Sequence, residues 1–162
     1  MIVIRFETGD ELLVPVETLV GSNLDEMNLH RAMFDGLDLR GASLVKANMR
    51  NASFVDADLS DANLSQSALM NARLGSCKLV RAKLSGASAR FADFRGADLT
   101  SAFLGDADIG GAEFRDARLC GAVMICRGID DAELAGAIFD DQTVWPDTVD
   151  PVARGALRVS GP

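Results

Sequence analysis

The chain has 162 residues, of which 48% are hydrophobic and 25% are charged, and its formal net charge is −8. These values fit one folded domain and exclude a disordered chain. Tyr is absent, and Trp and His each occur once, so side chains that commonly serve acid–base catalysis or stack on bases are scarce. We therefore expect no enzyme activity and no catalytic, cofactor-binding or metal-binding residues.

Residues 1–21 form the first predicted element. Apolar side chains alternate along positions 2–6, and a turn signal at Gly9-Asp10 leads into a second apolar run. This pattern predicts a β-hairpin, which we expect to cap the domain that follows. Charged residues such as Arg5 interrupt the apolar positions, so we expect no signal peptide or membrane span, and we predict a cytoplasmic location.

Residues 22–141 repeat with a period of five. A large apolar residue occupies every fifth position from Leu24 to Phe139, over 24 consecutive repeats in which only Ala89 is small. Ala occupies the position two residues earlier in 18 of these 24 repeats. A period of five fits neither a helix nor a strand. We therefore predict that each repeat forms one side of a coil, and that four sides close it.

In such a coil, residues 20 apart should lie above one another, and the phenylalanines are consistent with this. The large inward positions of one column are Phe34, Phe54, Leu74, Phe94 and Phe114, whereas the other three columns hold no Phe until Phe139 near the end of the repeats. A general abundance of leucine does not explain this column. We predict that these five side chains stack within the core.

The repeat unit, as in ADLSD at 57–61 and ADLTS at 97–101, resembles that of the pentapeptide-repeat family. The resemblance covers about three quarters of the chain and implies an all-β fold, a right-handed quadrilateral β-helix. With four repeats per coil, we expect about six coils stacked roughly 4.8 Å apart. Some members of this family resemble duplex DNA in shape and charge and thereby bind type II topoisomerases.

Ala89 interrupts the series of large inward residues. Phe91 follows at an outward position, so either a small cavity lies beside Ala89 or Phe91 folds inward. If Phe91 is exposed, it lies beside Met70 and Arg90, and these three residues are candidates for contact with a partner. Arg50 and Arg90 fall in one column and Arg95 and Arg115 in another, and these two pairs either meet an acidic partner or are simply solvated.

Two further irregularities lie near the end of the repeats. Arg127 stands where a small inward residue is expected, and an unpaired buried guanidinium is costly. We expect Gly128 to permit a local distortion that turns Arg127 outward, with a ligand pocket as the alternative. Phe103, Val123 and Ile125 form an outward apolar group, which burial beneath the tail or a dimer contact would explain.

Residues 142–162 leave the five-residue register. They contain the only Trp, and we expect Trp145 to plug the last coil, with a ligand-binding role as the alternative. From about Pro151 onward the composition favours a loosely ordered end. The predicted layout is a hairpin cap at 1–21, a β-helix at 22–141 and a capping tail at 142–162.

The distribution of charge bears on function. Residues 27–129 carry eleven acids and thirteen bases, whereas the acidity lies toward both ends. A DNA mimic would carry carboxylates along its length at close to phosphate density. We therefore favour a non-enzymatic protein-interaction or scaffold module, with DNA-mimicking regulation or protection of DNA gyrase, a type II topoisomerase, as the alternative. We expect a monomer or homodimer with an unidentified protein partner, no cofactor, and no direct contact with nucleic acid or membrane.

Overall fold

A computed structural model describes residues 1–160 of the protein. Parallel β-bridges join residues 20 apart in an unbroken series that begins at Asn23↔Ser43 and continues to Phe103↔Val123. The inward residues support the same ladder, because their N–H groups donate to the next coil, as from Leu59 to the carbonyl of Lys78 (2.7 Å). The chain is therefore a stack of 20-residue coils whose hydrogen bonds run along the axis of the stack.

A corner follows every five residues. From Gly21 to Gly121, every fifth residue has a positive φ. Gly, Asn and Asp tolerate this conformation better than other residues, and a bulky side chain there is unusual. Phe91, with φ 56°, is the one aromatic residue at these corners. This conformation costs roughly 1 to 2 kcal/mol at Phe91 as at the other non-glycine corners, and Phe91 differs from them in placing an aromatic ring there.

The core lies inside the coils and consists of the large apolar and small residues of the repeats. Phe34 stacks on Phe54, and Phe94 stacks on Phe114, each pair with ring centroids 4.8 Å apart and nearly parallel planes. Leu74, which separates the two pairs, is fully buried. One wall of the core is thus a column of five large side chains, as the phenylalanine pattern predicts.

The N-terminal residues form a hairpin against the first coil. Strands β1 (Ile2–Phe6) and β2 (Glu11–Val14) pair antiparallel, and β1 also pairs antiparallel with β3 (Ala32–Met33). The side chain of Ile4 is fully buried against the core. The hairpin therefore attaches to the coil stack by both main-chain hydrogen bonds and apolar packing.

The register slips near Gly128. Asp108 bridges Arg127, which is 19 residues away, and a 3₁₀ helix (Ile129–Asp131) then supplies the missing length. Gly128 has φ 74°, and a Cβ atom at this position would lie 2.6 Å from the backbone of Gly110, so only glycine fits. Arg127 is exposed. The predicted distortion is present here, and Arg127 does not point into the core.

The tail continues the stack instead of ending loosely. Strand β4 (Ile138–Phe139) pairs parallel with β5 (Leu157–Arg158), and Ala156 is buried. The guanidinium of Arg154 donates hydrogen bonds of 2.6 to 2.8 Å to the carbonyl oxygens of Ile129, Asp130 and Ala132. The expectation of a loosely ordered end from about Pro151 is therefore wrong, because this segment has both a ladder partner and a cap.

Trp145 lies at the C-terminal end of the core. Its side chain is half-buried, and its ring meets the Phe139 ring edge-on with centroids 5.7 Å apart. The indole Nε1 is buried and has no hydrogen-bond partner among residues 1–160.

None of the helical segments in the described part of the chain is long and apolar enough to cross a membrane.

A candidate protein-binding surface

One side of the coil stack carries a short row of basic and apolar side chains. Backbone hydrogen bonds of 3.0 Å place the residues of this row in successive coils, from Asn51 to the Met70 carbonyl and from Asn71 to the Arg90 carbonyl. The bond from Arg31 to the Arg50 carbonyl extends the row by one coil. We call the residues Arg50, Met70, Arg90 and Phe91 the basic patch.

Phe91 is the most prominent residue of the basic patch. Its side chain is 57% exposed, and the guanidinium carbon of Arg90 lies 5.5 Å from the centroid of its ring, within cation–π distance. The ring also rests on Gly111, where a Cβ atom would come within 2.5 Å of it. The alternative that Phe91 folds inward beside the buried Ala89 is therefore wrong, and the ring is held facing outward.

The sequence also contains a signal for the outward position of the Phe91 ring. Gly110 and Gly111 occupy two adjacent outward positions where most repeats carry side chains. A Cβ atom at Gly110 would lie 3.1 Å from a guanidinium nitrogen of Arg90. The glycine pair therefore makes room for both Arg90 and Phe91, an arrangement that becomes evident only when residues 20 apart are stacked.

The side of the stack that bears the patch is positively charged. It consists of residues 27–31, 47–51, 67–71, 87–91 and 107–111, which together hold three arginines and one aspartate, for a net charge of +2 with His30 neutral. Over the five coils of residues 22–121, the other three sides have net charges of −2 (five acids and three bases), 0 (four acids and four bases) and −1 (three acids and two bases). Among the four sides of residues 22–121, this one has the largest positive charge.

The arginines of this side have few carboxylate partners. Arg90 approaches Asp108 at 3.5 Å, and Arg50 has no ion pair within 4.0 Å among the residues described. On another side, by contrast, Arg81 donates two hydrogen bonds of 2.7 Å to Asp61 and lowers the pKa of that carboxyl group. The positive charge of the basic patch is therefore available to an external partner.

A second exposed apolar group lies nearer the C-terminal end. Phe103, Val123 and Val144 bridge one another in a single column, and Ile125 lies beside them. The side chains of Phe103, Ile125 and Val144 are 44 to 46% exposed. The alternative in which the tail buries this group is therefore wrong, and the dimer contact stays a prediction. We call these four residues the apolar strip.

The remaining groups with reactive side chains are three cysteines and one histidine. Burial raises the pKa of the Cys77 and Cys126 thiols to about 12, so both are protonated and poorly nucleophilic at neutral pH. His30 is exposed on the side that carries the basic patch. Within residues 1–160, no group of three or more His, Cys, Asp or Glu side chains is arranged to hold a metal ion.

Comparison with known proteins places the coil stack in a family. The family model for pentapeptide repeats matches in 8 copies, over residues 18–44, 38–75, 67–106 and 77–116, which together span more than half of the chain. A search of curated protein sequences finds no match.

Several solved structures are similar to this chain. The pentapeptide repeat protein alr5209 of Nostoc Pcc 7120 is 27% identical over 60% of this chain and 84% of its own, with a TM-score of 0.32. Rfr23 of the cyanobacterium Cyanothece 51142 is 26% identical over 78% and 90%, with a TM-score of 0.33. QnrB1, a plasmid-mediated fluoroquinolone resistance protein, is 21% identical over 86% and 76%, with a TM-score of 0.40. Given the match of the family model and the 20-residue ladder, the protein belongs to the pentapeptide-repeat family, whose members are repeat β-helix proteins.

Proposed function

We propose that the protein is a non-enzymatic interaction module that docks a protein partner on its basic patch. The observation that supports this most directly is Phe91, an aromatic residue that is 57% exposed at a strained corner and held against Gly111 beside Arg90. Rigid aromatic and arginine side chains dominate the binding energy of many protein interfaces. The ladder and the core do not require an exposed ring at this corner.

The proposal includes a layout and a cellular setting. We place a capping hairpin at residues 1–21, a right-handed quadrilateral β-helix of about six coils at 22–141, and a capping tail at 142–162. The rod acts in the cytoplasm as a monomer or homodimer. The apolar strip is the surface through which a homodimer would form, because it lies on a different side from the basic patch and leaves that patch free.

DNA mimicry of the kind that regulates or protects DNA gyrase is less well supported. Many of the carboxylates along the coils are neutralised by neighbouring arginines, as in the pairs Arg40–Asp38 (2.6 Å) and Arg95–Asp93 (2.7 Å). A mimic needs a continuous line of negative charge at roughly one charge per 1.7 Å of duplex. The side that carries the basic patch has the opposite sign, so the protein-interaction proposal takes precedence.

Substituting Phe91 tests the proposal with little risk to the fold. Asn tolerates a positive φ better than Phe does, so Phe91→Asn should leave the coil stack at least as stable as the parent. We expect this variant to retain about tenfold less of the partner than the parent protein does. The measurement is quantitative mass spectrometry of proteins captured on the immobilised protein from a lysate of its source organism.

The matched control is Phe103→Thr, which removes an exposed phenylalanine from the apolar strip and leaves the basic patch intact. It should capture the same partner as the parent protein does. Equal capture by Phe91→Asn and the parent would contradict the proposed surface. Specific capture of no protein by any of the three chains would contradict the proposed function itself.

A further inference from the structure

The basic patch has a spacing that restricts what can dock on it. Neighbouring coils lie about 4.8 Å apart, in agreement with the 4.8 Å between the stacked rings of Phe34 and Phe54. Arg50 and Arg90 lie two coils apart, so their rows are separated by roughly 10 Å along the axis, with Met70 between them. Along the axis the surface therefore presents a positive, an apolar and a second positive side chain.

A partner on this side cannot bind by adding a strand. The ladder hydrogen bonds join each coil to the next along the axis, as from Met49 to the Ala68 carbonyl (2.8 Å), so open strand edges occur only at the two ends of the stack. Strand addition requires such an open edge. A segment that lies along the side gains no ladder hydrogen bonds, and an α-helix is the element that pairs its backbone groups internally.

The spacing of a helix matches that of the patch. Seven residues of an α-helix rise about 10.5 Å and return to nearly the same face. Side chains at positions i and i+7 can therefore face Arg50 and Arg90 together. Those at i+3 and i+4 lie between them, over the half-buried side chain of Met70. The ring of Phe91 would then pack against the flank of the helix.

The charges of the patch determine the chemistry of the helix. Arg50 has no carboxylate partner within residues 1–160, and Arg90 has only a long contact of 3.5 Å with Asp108, so both guanidinium groups can donate hydrogen bonds to external carboxylates. We infer that the partner of this protein is an acidic α-helix lying along the rod axis. It carries carboxylates at i and i+7 over Arg50 and Arg90, and an apolar side chain at i+3 or i+4 over Met70. This inference rests on the proposed function and specifies its partner class.

A nucleic acid is the less favoured ligand of the same surface. Its phosphates are spaced far more closely than the two rows of arginine, and three arginines on this side would neutralise few of them. The protein as a whole carries a net charge of −8, which repels a polyanion. A helix with two carboxylates in register avoids most of this repulsion.

A synthetic peptide provides a direct test. The probe is a fluorescein-labelled, alanine-rich helical peptide of roughly 20 residues, long enough to hold a helix in water. It carries Glu at i and i+7 and Leu at i+3 and i+4, and its binding to the full chain is measured by fluorescence anisotropy. We expect saturable binding that weakens about tenfold for the double variant Arg50→Gln/Arg90→Gln and for a peptide with Gln in place of both Glu residues.

The matched control for the protein is Lys78→Gln/Arg118→Gln, which removes two positive charges that are also two coils apart, but on another side. This variant should bind the peptide as the parent does. The inference is overturned if no saturable binding occurs, if the Gln peptide binds equally well, or if both double variants lose binding alike. It is also overturned if a single-stranded DNA oligonucleotide binds the patch more tightly than the peptide does.

The outcomes separate the two proposals. If the peptide fails to bind while Phe91→Asn still loses the partner captured from lysate, the basic patch is a docking surface and only the acidic helix is wrong. If the partner is retained by Phe91→Asn and the peptide also fails to bind, both proposals fall.

Discussion

The substitution Phe54→Ala is expected to lower the free energy of unfolding by about 3 to 5 kcal/mol. Phe54 is fully buried, stacks on Phe34 at 4.8 Å and has Leu74 on its other side. Truncation would leave a cavity between two coils that are held by their own ladders and cannot collapse freely. Because each coil of a solenoid contacts only its neighbours, the loss of stability should arise at the two interfaces that the coil containing Phe54 forms with the adjacent coils. Urea unfolding followed by circular dichroism measures the change.

The same column offers the control for this prediction. Phe54→Leu introduces the residue type that occupies position 74, so the core stays filled and the cost should be about 1.5 kcal/mol or less. Phe91→Ala, on the surface, should lower the free energy of unfolding only slightly, because the Phe91 ring is mostly exposed. A loss below about 1 kcal/mol for Phe54→Ala would be too small for a buried aromatic stack and would contradict the packing described here.

The substitution Arg154→Met is expected to lower the free energy of unfolding by about 3 kcal/mol, because hydrogen bonds to charged groups contribute roughly 1.5 to 3 kcal/mol each. Its guanidinium donates to three carbonyl oxygens of residues 129–132, where the register slip leaves the backbone without a regular ladder. Methionine preserves much of the apolar stem and removes every donor. Hydrogen exchange should also accelerate at the amides of Leu157 and Val159, which pair with the last coil.

A second arginine of the tail serves as the control. Arg158 forms an ion pair with Asp141 in which both side chains are 63% exposed, and such surface pairs contribute about 0 to 1 kcal/mol. Arg158→Met should therefore change stability little. If Arg154→Met proves no more costly than Arg158→Met, the tail is not anchored by its cap, and residues 151–159 would have to be held by β5 alone.

The period of five made the regular part of the fold predictable. Two inward residues per repeat, maintained over 24 repeats, exclude helix and strand periods and place residues 20 apart in columns. The phenylalanine column supports this independently, because Phe34 and Phe54 stack only if the coil closes after four repeats. Arg127 likewise predicted a local distortion at Gly128, since its charge is incompatible with an inward position, whereas the register slip is seen only in the structure.

The tail was harder to predict because its strand lies outside the register. Ile138 pairs with Leu157, which is 19 residues away, and the intervening segment contains no five-residue repeat. A signal was nevertheless present in Gly155-Ala156, which repeats the corner glycine and small inward residue seen at Gly96-Ala97. Gly155 has the positive φ of a corner, and Ala156 is buried. The cap made by Arg154 depends on tertiary contacts, so local sequence patterns do not reveal it.

The binding surface was predictable only in part. The five-residue period places Met70, Arg90 and Phe91 on one side of the coils. The orientation of Phe91 depends on Gly111 in the next coil. The sequence alone therefore does not decide between a small cavity beside Ala89 and a Phe91 ring that folds inward. The excess of positive charge on one side also emerges only after the four columns are sorted, because the net charge of −8 conceals it.

Contacts between phenylalanine rings test the stacking of residues 20 apart most directly, and all surface assignments depend on that stacking. In a protein with selectively labelled phenylalanine rings, nuclear Overhauser spectra should show two ring-to-ring contacts, Phe34 with Phe54 and Phe94 with Phe114, at the centroid distance of 4.8 Å. Phe91, which lies at an outward corner, should show none with these four rings. The absence of both contacts would contradict the column, and with it the row formed by Arg50, Met70 and Arg90.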